Sequence, residues 1–430
     1  MEEKIKLYSL AKHIADTANI RSVGNLLYAY NGICYVFCDD DALNRLVFEM
    51  GFQNNPDDAT PKIINDIARL IKMLPQSRDI KPNSGLWLFN NTAVDPMTEK
   101  TYELSPDIFS TSYISSEYMP AVFDTSSFDI FLNAITVGDE QLTRRVLQAI
   151  GYILSPDNNA GVFVYVYSKS LIVRKLFGKL LRSFFSENMI SGIDLYDMGN
   201  RFNVFELNGK KLNINMNISS GVLNAKNTRI LKELTDPQNI FLTERRYHTT
   251  YKIINSCKLV FGSEFKLQPN TYDTDFKNRV LFLPLSDVAD KRILTDNFEE
   301  RLLSEKPSII RKAMEAYREL KNNGYRFVNQ SEYTANFGND GLINIQDIIP
   351  MFVDECLEII EAGLICSYEL EKSFNSFCED KNIFIPVTKT KLSSALKKYL
   401  GNAVISKKIR KGDKTFNGFM GISLQTGDCP

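Results

Sequence analysis

The stretch Val162–Leu181, VFVYVYSKSLIVRKLFGKLL, decides how the rest of the chain reads. Its first six residues, Val162–Tyr167, form an apolar run of strand length and read as a buried strand. After Ser170 the period changes. Ile172, Leu176 and Leu180 recur at helical spacing and are expected to face the core, with Arg174, Lys175, Lys179 and Arg182 mostly in solvent. A strand feeding directly into an amphipathic helix is a unit of an α/β layer structure. Helix N-termini in such units attract anions through their free N–H groups. The connection here is only Ser168, Lys169 and Ser170, with no glycine.

Working outward, further apolar strand candidates follow at KLNINMNI (Lys211–Ile218), KLVFGS (Lys258–Ser263) and RVLFLPL (Arg279–Leu285), with helical segments between several of them. Two helices, Ser127–Thr136 and Asp139–Leu154, precede the central strand. A long helix from Lys306 onward closes the region, with Ile309, Ala313, Ala316 and Leu320 along one face. Upstream, the chain opens with a helix and a short strand pair around LLYAYNGICYVFCDD. A helix near Thr60–Leu74 and a β-rich end, SGLWLFNNTAVDPMTEKTYELS, come next. Turn-rich stretches at Ser105–Pro120 and Asn322–Gly341 mark the boundaries. The expected domains are therefore 1–120, 121–325 and 342–430, and the fold class is α/β.

The last region reads as helix, helix, helix and hairpin. IQDIIPMFVDECLEIIEAG (Ile345–Gly363) and SYELEKSFNSFCEDK are the first two helices. TKTKLSSALKKYL is the third, with Thr388 or Thr390 as N-cap, and AVISKKIRKGDKTFNGFMGISL turns at Gly412-Asp413. Three helices and a basic hairpin describe a winged helix. Lys389–Lys414 carries nine Lys or Arg against one acid, Asp413, so phosphate contact and a plain solvated face are both open.

The 430 residues, 44% hydrophobic and 24% charged with net charge -1, are ordinary for a globular protein of several domains. No apolar run approaches the ~20 residues of a membrane helix, and the acidic amphipathic N-terminus has no signal pattern, so a cytoplasmic protein without membrane contact is expected. The seven cysteines are scattered, and only Cys34 and Cys38 are close, with no second close pair with histidines following. That excludes a zinc-ribbon pattern and reads as buried thiols in a reducing compartment. Two histidines, His13 and His248, leave little for triad or metal chemistry.

Several stretches, in this order, resemble the helicase portion of phage- and plasmid-encoded primase-helicases, the superfamily 3 branch of the AAA+ ATPases that includes the poxvirus primase-helicase. NNTAVDPMTEKTYELSPDIFSTSYISSEYMP is similar to the family's helicase-associated domain. DEQLTRRVLQAIGYILSP is similar to the helix entering the ATPase core, and LYDMGNRFNVFELNGKKLNINMNIS to the approach to its Walker B strand. The run from Ile230 to Leu285 is similar to the path through the sensor strand to the arginine finger. The likeness spans about 300 residues, and the family's usual primase domain is missing from this sequence.

The resemblance implies a nucleotide site whose residues can be checked one by one. A P-loop needs G-x-x-x-x-G-K-[ST], because glycines let backbone N–H groups curl around phosphates. Here only Lys169 and Ser170 stand near the Lys-Ser position. Met216 and Asn217 occupy the place of the Walker B acids that hold magnesium. Ser263-Glu264 stands where the family carries a sensor asparagine. Arg279 matches the trans-acting arginine finger, although pairing with a local carboxylate such as Asp275 is an equal reading. Between the Walker B and sensor strands the family places a DNA-contacting hairpin, and here that interval holds Arg245, Arg246, Tyr247 and His248. Lys391, Lys397, Lys398, Lys407, Lys408, Arg410 and Lys411 offer a second DNA surface.

Three functions remain open on this sequence. The first is a DNA-binding pseudo-ATPase of a phage, plasmid or other mobile element, assembling with itself or with an active helicase paralogue or primase, and needing no cofactor. The second is a divergent ATP-dependent helicase, using ATP and magnesium at the degenerate site. The third is a non-enzymatic winged-helix regulator or initiator.

Overall fold

In the computed structural model, which describes residues 2–23, 26–74, 85–121, 124–218, 222–223, 225–237, 241–244, 250–253, 255–269, 274–329, 345–380, 387–412 and 414–425, the chain divides into two compact units. One comprises residues 1–218, 229–264 and 278–330, the other 219–228, 265–277 and 331–430.

The first unit begins with α1 (Glu2–Thr17) and an antiparallel sheet of β1 (Arg21–Val23), β2 (Leu26–Tyr30) and β3 (Tyr35–Cys38). Helices α2 (Asp40–Phe52) and α3 (Pro61–Met73) cover it, sharing a core of Ile14, Leu27, Val47, Ile67 and Ile71. Both helices start where a side chain caps them. Asp39 accepts from the Ala42 amide, and Thr60, followed by Pro61, accepts from that of Ile63. Three two-residue strands follow, β4 (Trp87–Leu88), β5 (Ala93–Val94) and β6 (Thr101–Tyr102). Trp87 and Phe89 share a core with α4 (Ser126–Thr136), α5 (Glu140–Leu154) and the long helix α11 described below.

The apolar run at Val162 becomes β7 (Phe163–Tyr167), and α6 (Leu171–Ser183) follows it. Four more strands complete a sheet: β8 (Ile190–Ser191), β9 (Leu212–Asn215), β13 (Lys258–Ser263) and β15 (Val280–Pro284). All neighbours are parallel, and the spatial order is β15-β7-β13-β9-β8. Phe163 to Val166 are at most 1% exposed, so the strand is buried on both faces as a central parallel strand must be. The chain fills the sheet on one side of β7, then crosses to the other side for β15. The carboxyl end of β7 is therefore a topological switch point, the position where open α/β sheets form their binding crevice.

Helix α6 corrects the expected face. Its buried stripe is Val173, Leu176, Phe177, Leu180 and Leu181, while Ile172 is 49% exposed and Arg174 only 2% exposed. Leu176 and Leu180 are buried as their spacing predicts, and of the three only Ile172 leaves the stripe, because Ser170 caps the helix through the Val173 amide and Val173 takes the first inward position. The KLNINMNI strand is shorter than its apolar run and ends at Asn215. Between these strands lie α7 (Arg201–Phe205), α8 (Ala225–Thr235), an antiparallel pair β11 (Phe241–Glu244) and β12 (Thr250–Ile253), and α9 (Thr274–Asn278). The unit closes with α10 (Phe298–Ser304) and α11 (Lys306–Asn322), whose Ile309, Ala313, Ala316 and Leu320 are buried as their spacing predicts.

In the second unit, β10 (Val222–Leu223) and β14 (Gln268–Pro269) form a short parallel pair. Its larger part runs α12 (Ile345–Cys356), β16 (Leu357–Cys366), α13 (Ser367–Asp380), α14 (Lys389–Leu400), β17 (Ile405–Lys411) and β18 (Lys414–Leu424). The strands form an antiparallel sheet ordered β16-β18-β17. The helix expected over Ile345–Gly363 stops at Cys356. LEIIEAGLIC pairs instead with β18, from Leu357 against Leu424 to Cys366 against Gly418, with a register shift between Ile360 and Leu364. A local helical pattern yields here to pairing with a strand some sixty residues away, the tertiary override that β-branched segments commonly show. Thr388 is the N-cap of α14, and β17 and β18 pair as far as Lys411 against Lys414, with Asp413 of the expected Gly412-Asp413 turn outside the described residues. Phe352, Phe374, Leu396, Phe419 and Ile422 lie in its core.

No described helix is long and apolar enough to cross a membrane. Cys34, Cys38, Cys257, Cys366 and Cys378 are buried and in no disulfide, whereas Cys356 departs from the thiol reading and is disulfide-bonded.

Candidate nucleotide site and nucleic-acid interface

The turn from β7 to α6 is tied down at every residue. The Ser168 amide donates to the Ser263 carbonyl (3.1 Å), and the buried Ser168 hydroxyl to that of Ser286 (2.5 Å). The Ser170 amide donates back to Ser168 Oγ (3.1 Å), and Ser170 Oγ caps the Val173 amide (3.4 Å). The Lys169 amide donates to Asp287 Oδ1 at 2.7 Å. None of the three residues has a left-handed φ. The amides of Ser168, Lys169, Ser170 and Val173 are thus already used, and a carboxylate stands at the helix start where an anion would be drawn. The Lys169 side chain is exposed.

Beside this turn, at the end of β9, the expected place of the magnesium-holding acids is filled. Buried Arg174 donates through Nη1 to the Met216 carbonyl (2.9 Å) and to Asn217 Oδ1 (3.1 Å). Burial lowers the guanidinium pKa, and the charge of Glu264 opposes that shift. The Met216 side chain is wedged between two glycines. A Cβ at Gly178 would stand 2.8 Å from Met216 Cγ, and one at Gly262 only 2.7 Å from its sulfur and 3.0 Å from its Cα. On the sensor strand, the Ser263 hydroxyl donates to the Ile218 carbonyl (3.0 Å), and Glu264 is exposed. A guanidinium and a thioether thus lie at the end of β9, where the resemblance would put magnesium-holding acids. Among the described residues no three His, Cys, Asp or Glu side chains group as metal ligands.

Arg279 lies at the opposite edge of the sheet, where its carbonyl accepts from the Phe163 amide. The carboxylate facing it is Asp236, at 3.7 Å, with the arginine side chain 21% exposed. Arg245, Arg246, Tyr247 and His248 lie outside the described residues. The strands flanking them pair from Phe241 against Ile253 to Glu244 against Thr250, the arms of a hairpin.

The same amino edge of the sheet holds a charge cluster that the sequence did not signal. Lys211 and Lys258, each 2% exposed, head β9 and β13, and the Lys258 amide donates to the Lys211 carbonyl. The Lys211 ammonium donates to the Ser155 carbonyl and that of Lys258 to the Asp157 carbonyl. The latter also sits 3.6 Å from the centre of the Tyr152 ring. Burial pushes Lys211 down to about 7, and burial together with the charge of Lys211 takes Lys258 well below its ordinary value. Although burial works to raise it, the Asp157 carboxyl is held low by Lys258, the Tyr317 hydroxyl, the Asn159 amide and Lys211. Each lysine merely precedes an apolar run, so nothing in the local pattern distinguishes it from a solvated strand start.

In the second unit Lys391, Lys397, Lys398, Lys407, Lys408, Arg410 and Lys411 are all exposed. Lys411 pairs with Glu369, and Lys389 with Glu371 at 3.2 Å. No carboxylate among the described residues pairs with Lys391, Lys397, Lys398, Lys407, Lys408 or Arg410. The face is a run of cations with few internal partners, which suits phosphate contacts.

No family model and no curated protein matches this chain. Solved structures do, among them three of the C-terminal region of NrS-1, each described as apo. They are 13% identical, with TM-scores of 0.46, 0.47 and 0.48, and the match covers 96% of this chain and 98% of each of theirs. At that identity and score the likeness carries no argument about fold or function.

Proposed function

We propose that this chain is a DNA-binding replication protein of a phage, plasmid or related mobile element, built on an AAA+-like core that neither holds nor hydrolyses ATP. The reading keeps three parts: a helicase-associated region over 1–120, the degenerate core over 121–325 and a winged helix over 342–430. The observation that carries it is the closed turn at Ser168–Ser170, whose amides are bonded to Ser263, Ser168 and Asp287. Arg174 and Met216 fill the neighbouring cation position, so the two halves of a nucleotide site are blocked by different side chains. Strand order supports the AAA+ assignment, because the blocked turn leaves the carboxyl end of β7 at the switch point where the ligand of such a sheet binds. The order α-β-α-α-β-β with a basic terminal hairpin supports the winged helix.

In this scheme the second unit holds DNA through phosphates, and the core acts as a scaffold for assembly with further copies or with an active helicase. Arg279 keeps its ion pair with Asp236 in the isolated chain and is the group offered to a neighbour's site in an assembly. The test is steady-state ATP hydrolysis with and without single-stranded DNA. The expected result is no turnover above background, unchanged by Lys169→Ala. DNA-stimulated turnover that Lys169→Ala abolishes would return the chain to the active helicases.

A further inference from the structure

The second unit contains a cleft of about 550 Å³ between the starts of α13 and α14 and the β17–β18 hairpin. That lies within the range of small-ligand sites, ~300–1,000 Å³. Its walls combine an aromatic pair, Tyr368 and Phe416, with Lys407, Lys408, Ser393 and Asn417. The two rings stand 5.3 Å apart, tilted at 54°. Tyr368 is 42% exposed, and its hydroxyl donates to Glu369 (3.2 Å), which anchors the ring at the wall of the cleft. Glu369 and the nearby Glu371 are themselves engaged by Lys411 and Lys389, while Lys407 and Lys408 have no carboxylate partner among the described residues. The cleft is thus positive, lined with hydroxyl and amide groups, and presents an accessible aromatic ring.

The geometry points to this cleft as a site for an unpaired nucleotide of single-stranded DNA, with its base on Tyr368 and Phe416 and a flanking phosphate on Lys407, which shares the Phe416 face of the β17–β18 pair. This rests on the DNA-binding reading above and specifies its ligand. A duplex satisfies the exposed lysines equally well but keeps its bases stacked inside, so it cannot place one on a ring within a concavity. A single strand can, and aromatic stacking with cationic backbone contacts is how such strands are held.

The test is fluorescence anisotropy with the full chain and three labelled probes: an oligothymidine of about a dozen nucleotides, an abasic strand of equal length and charge, and a duplex. Tyr368→Ala should weaken binding to the oligothymidine by about 5- to 150-fold, the range of one base stack. It should leave the abasic strand and the duplex unchanged, and Tyr368→Phe should retain oligothymidine binding. Lys407→Ala with Lys408→Ala should weaken all three. Equal loss on the abasic strand, or none on the oligothymidine, would overturn the stacking site. Duplex binding indifferent to Tyr368, with weak single-strand binding, would overturn it while sparing the DNA-binding reading. Failure to bind any of the three would remove that reading as well.

Discussion

Replacing Lys211 with Met tests whether the amino edge of the parallel sheet carries buried, largely discharged lysines. Methionine keeps the unbranched stem and removes the ammonium. Burial brings Lys211 to about 7 in the folded chain, against 10.5 for the ordinary side chain. Each pH unit of such a difference is worth about 1.4 kcal/mol. Because the folded value lies below the unfolded one, the unfolded chain binds more protons between these limits, and stability rises with pH there. Between about pH 7 and 9 the gain from this one group integrates to about 2 kcal/mol. Lys258 acts in the same sense, while Cys257, its thiol pushed up to about 12, acts in the opposite sense as pH rises through the ordinary thiol range. Both groups persist in the variant, so the difference between the two pH profiles reports Lys211 together with the influence of its charge on Lys258 and Cys257. The readout is built in: Trp87 is the one tryptophan, is 1% exposed, and its ring lies 5.4 Å from that of Tyr317, which bonds Asp157. Urea titrations followed by tryptophan fluorescence at several pH values should show Lys211→Met gaining about 2 kcal/mol less than the parent from pH 7 to 9. Identical pH profiles for parent and variant would refute a buried, discharged Lys211.

Other changes read out the blocked site and the basic surface. Gly262→Ala places a methyl against the Met216 sulfur and backbone and should destabilise the first unit by about 1–3 kcal/mol, seen in the same urea titration. Replacing Lys407, Lys408, Arg410 and Lys411 with Ala should weaken DNA binding similarly across unrelated sequences and flatten the plot of log affinity against log salt by about one unit per lost phosphate contact. Of the four, Lys411 should contribute least, because Glu369 already holds its ammonium. In a mixed assembly with an active relative, Arg279→Ala should cut ATPase activity ~10³-fold or more if the arginine completes the neighbour's site. Activity unchanged in that assembly would leave Arg279 as the ion-pair partner of Asp236.

Much of the layout was legible because it rests on local patterns. The apolar runs at Phe163–Tyr167 and Lys258–Ser263 are too short for helices and too apolar for exposed strands. The helices over 126–136, 140–154 and 306–322 are fixed by period and, for the second, by Asp139 accepting from two amides. What failed depended on partners distant in sequence. Leu357–Cys366 is a strand because β18 pairs with it, and Arg174 is buried because the Met216 carbonyl and Asn217 receive its guanidinium. The absence of glycines from the connection at Ser168–Ser170 was legible in the sequence. It did not show that Asp287, more than a hundred residues later, supplies the carboxylate at its mouth. Tyr368 and Phe416 were likewise separate aromatic residues until α13 and β18 brought them onto one cleft.

The most direct test of a closed nucleotide site is a crystal structure of the full chain soaked with an ATP analogue and magnesium. The account predicts no nucleotide at Ser168–Ser170, with the Lys169 amide still on Asp287 and Arg174 still on Asn217. Triphosphate density over that turn, with Asp287 swung away and a magnesium ion in place of the Arg174 guanidinium, would contradict it.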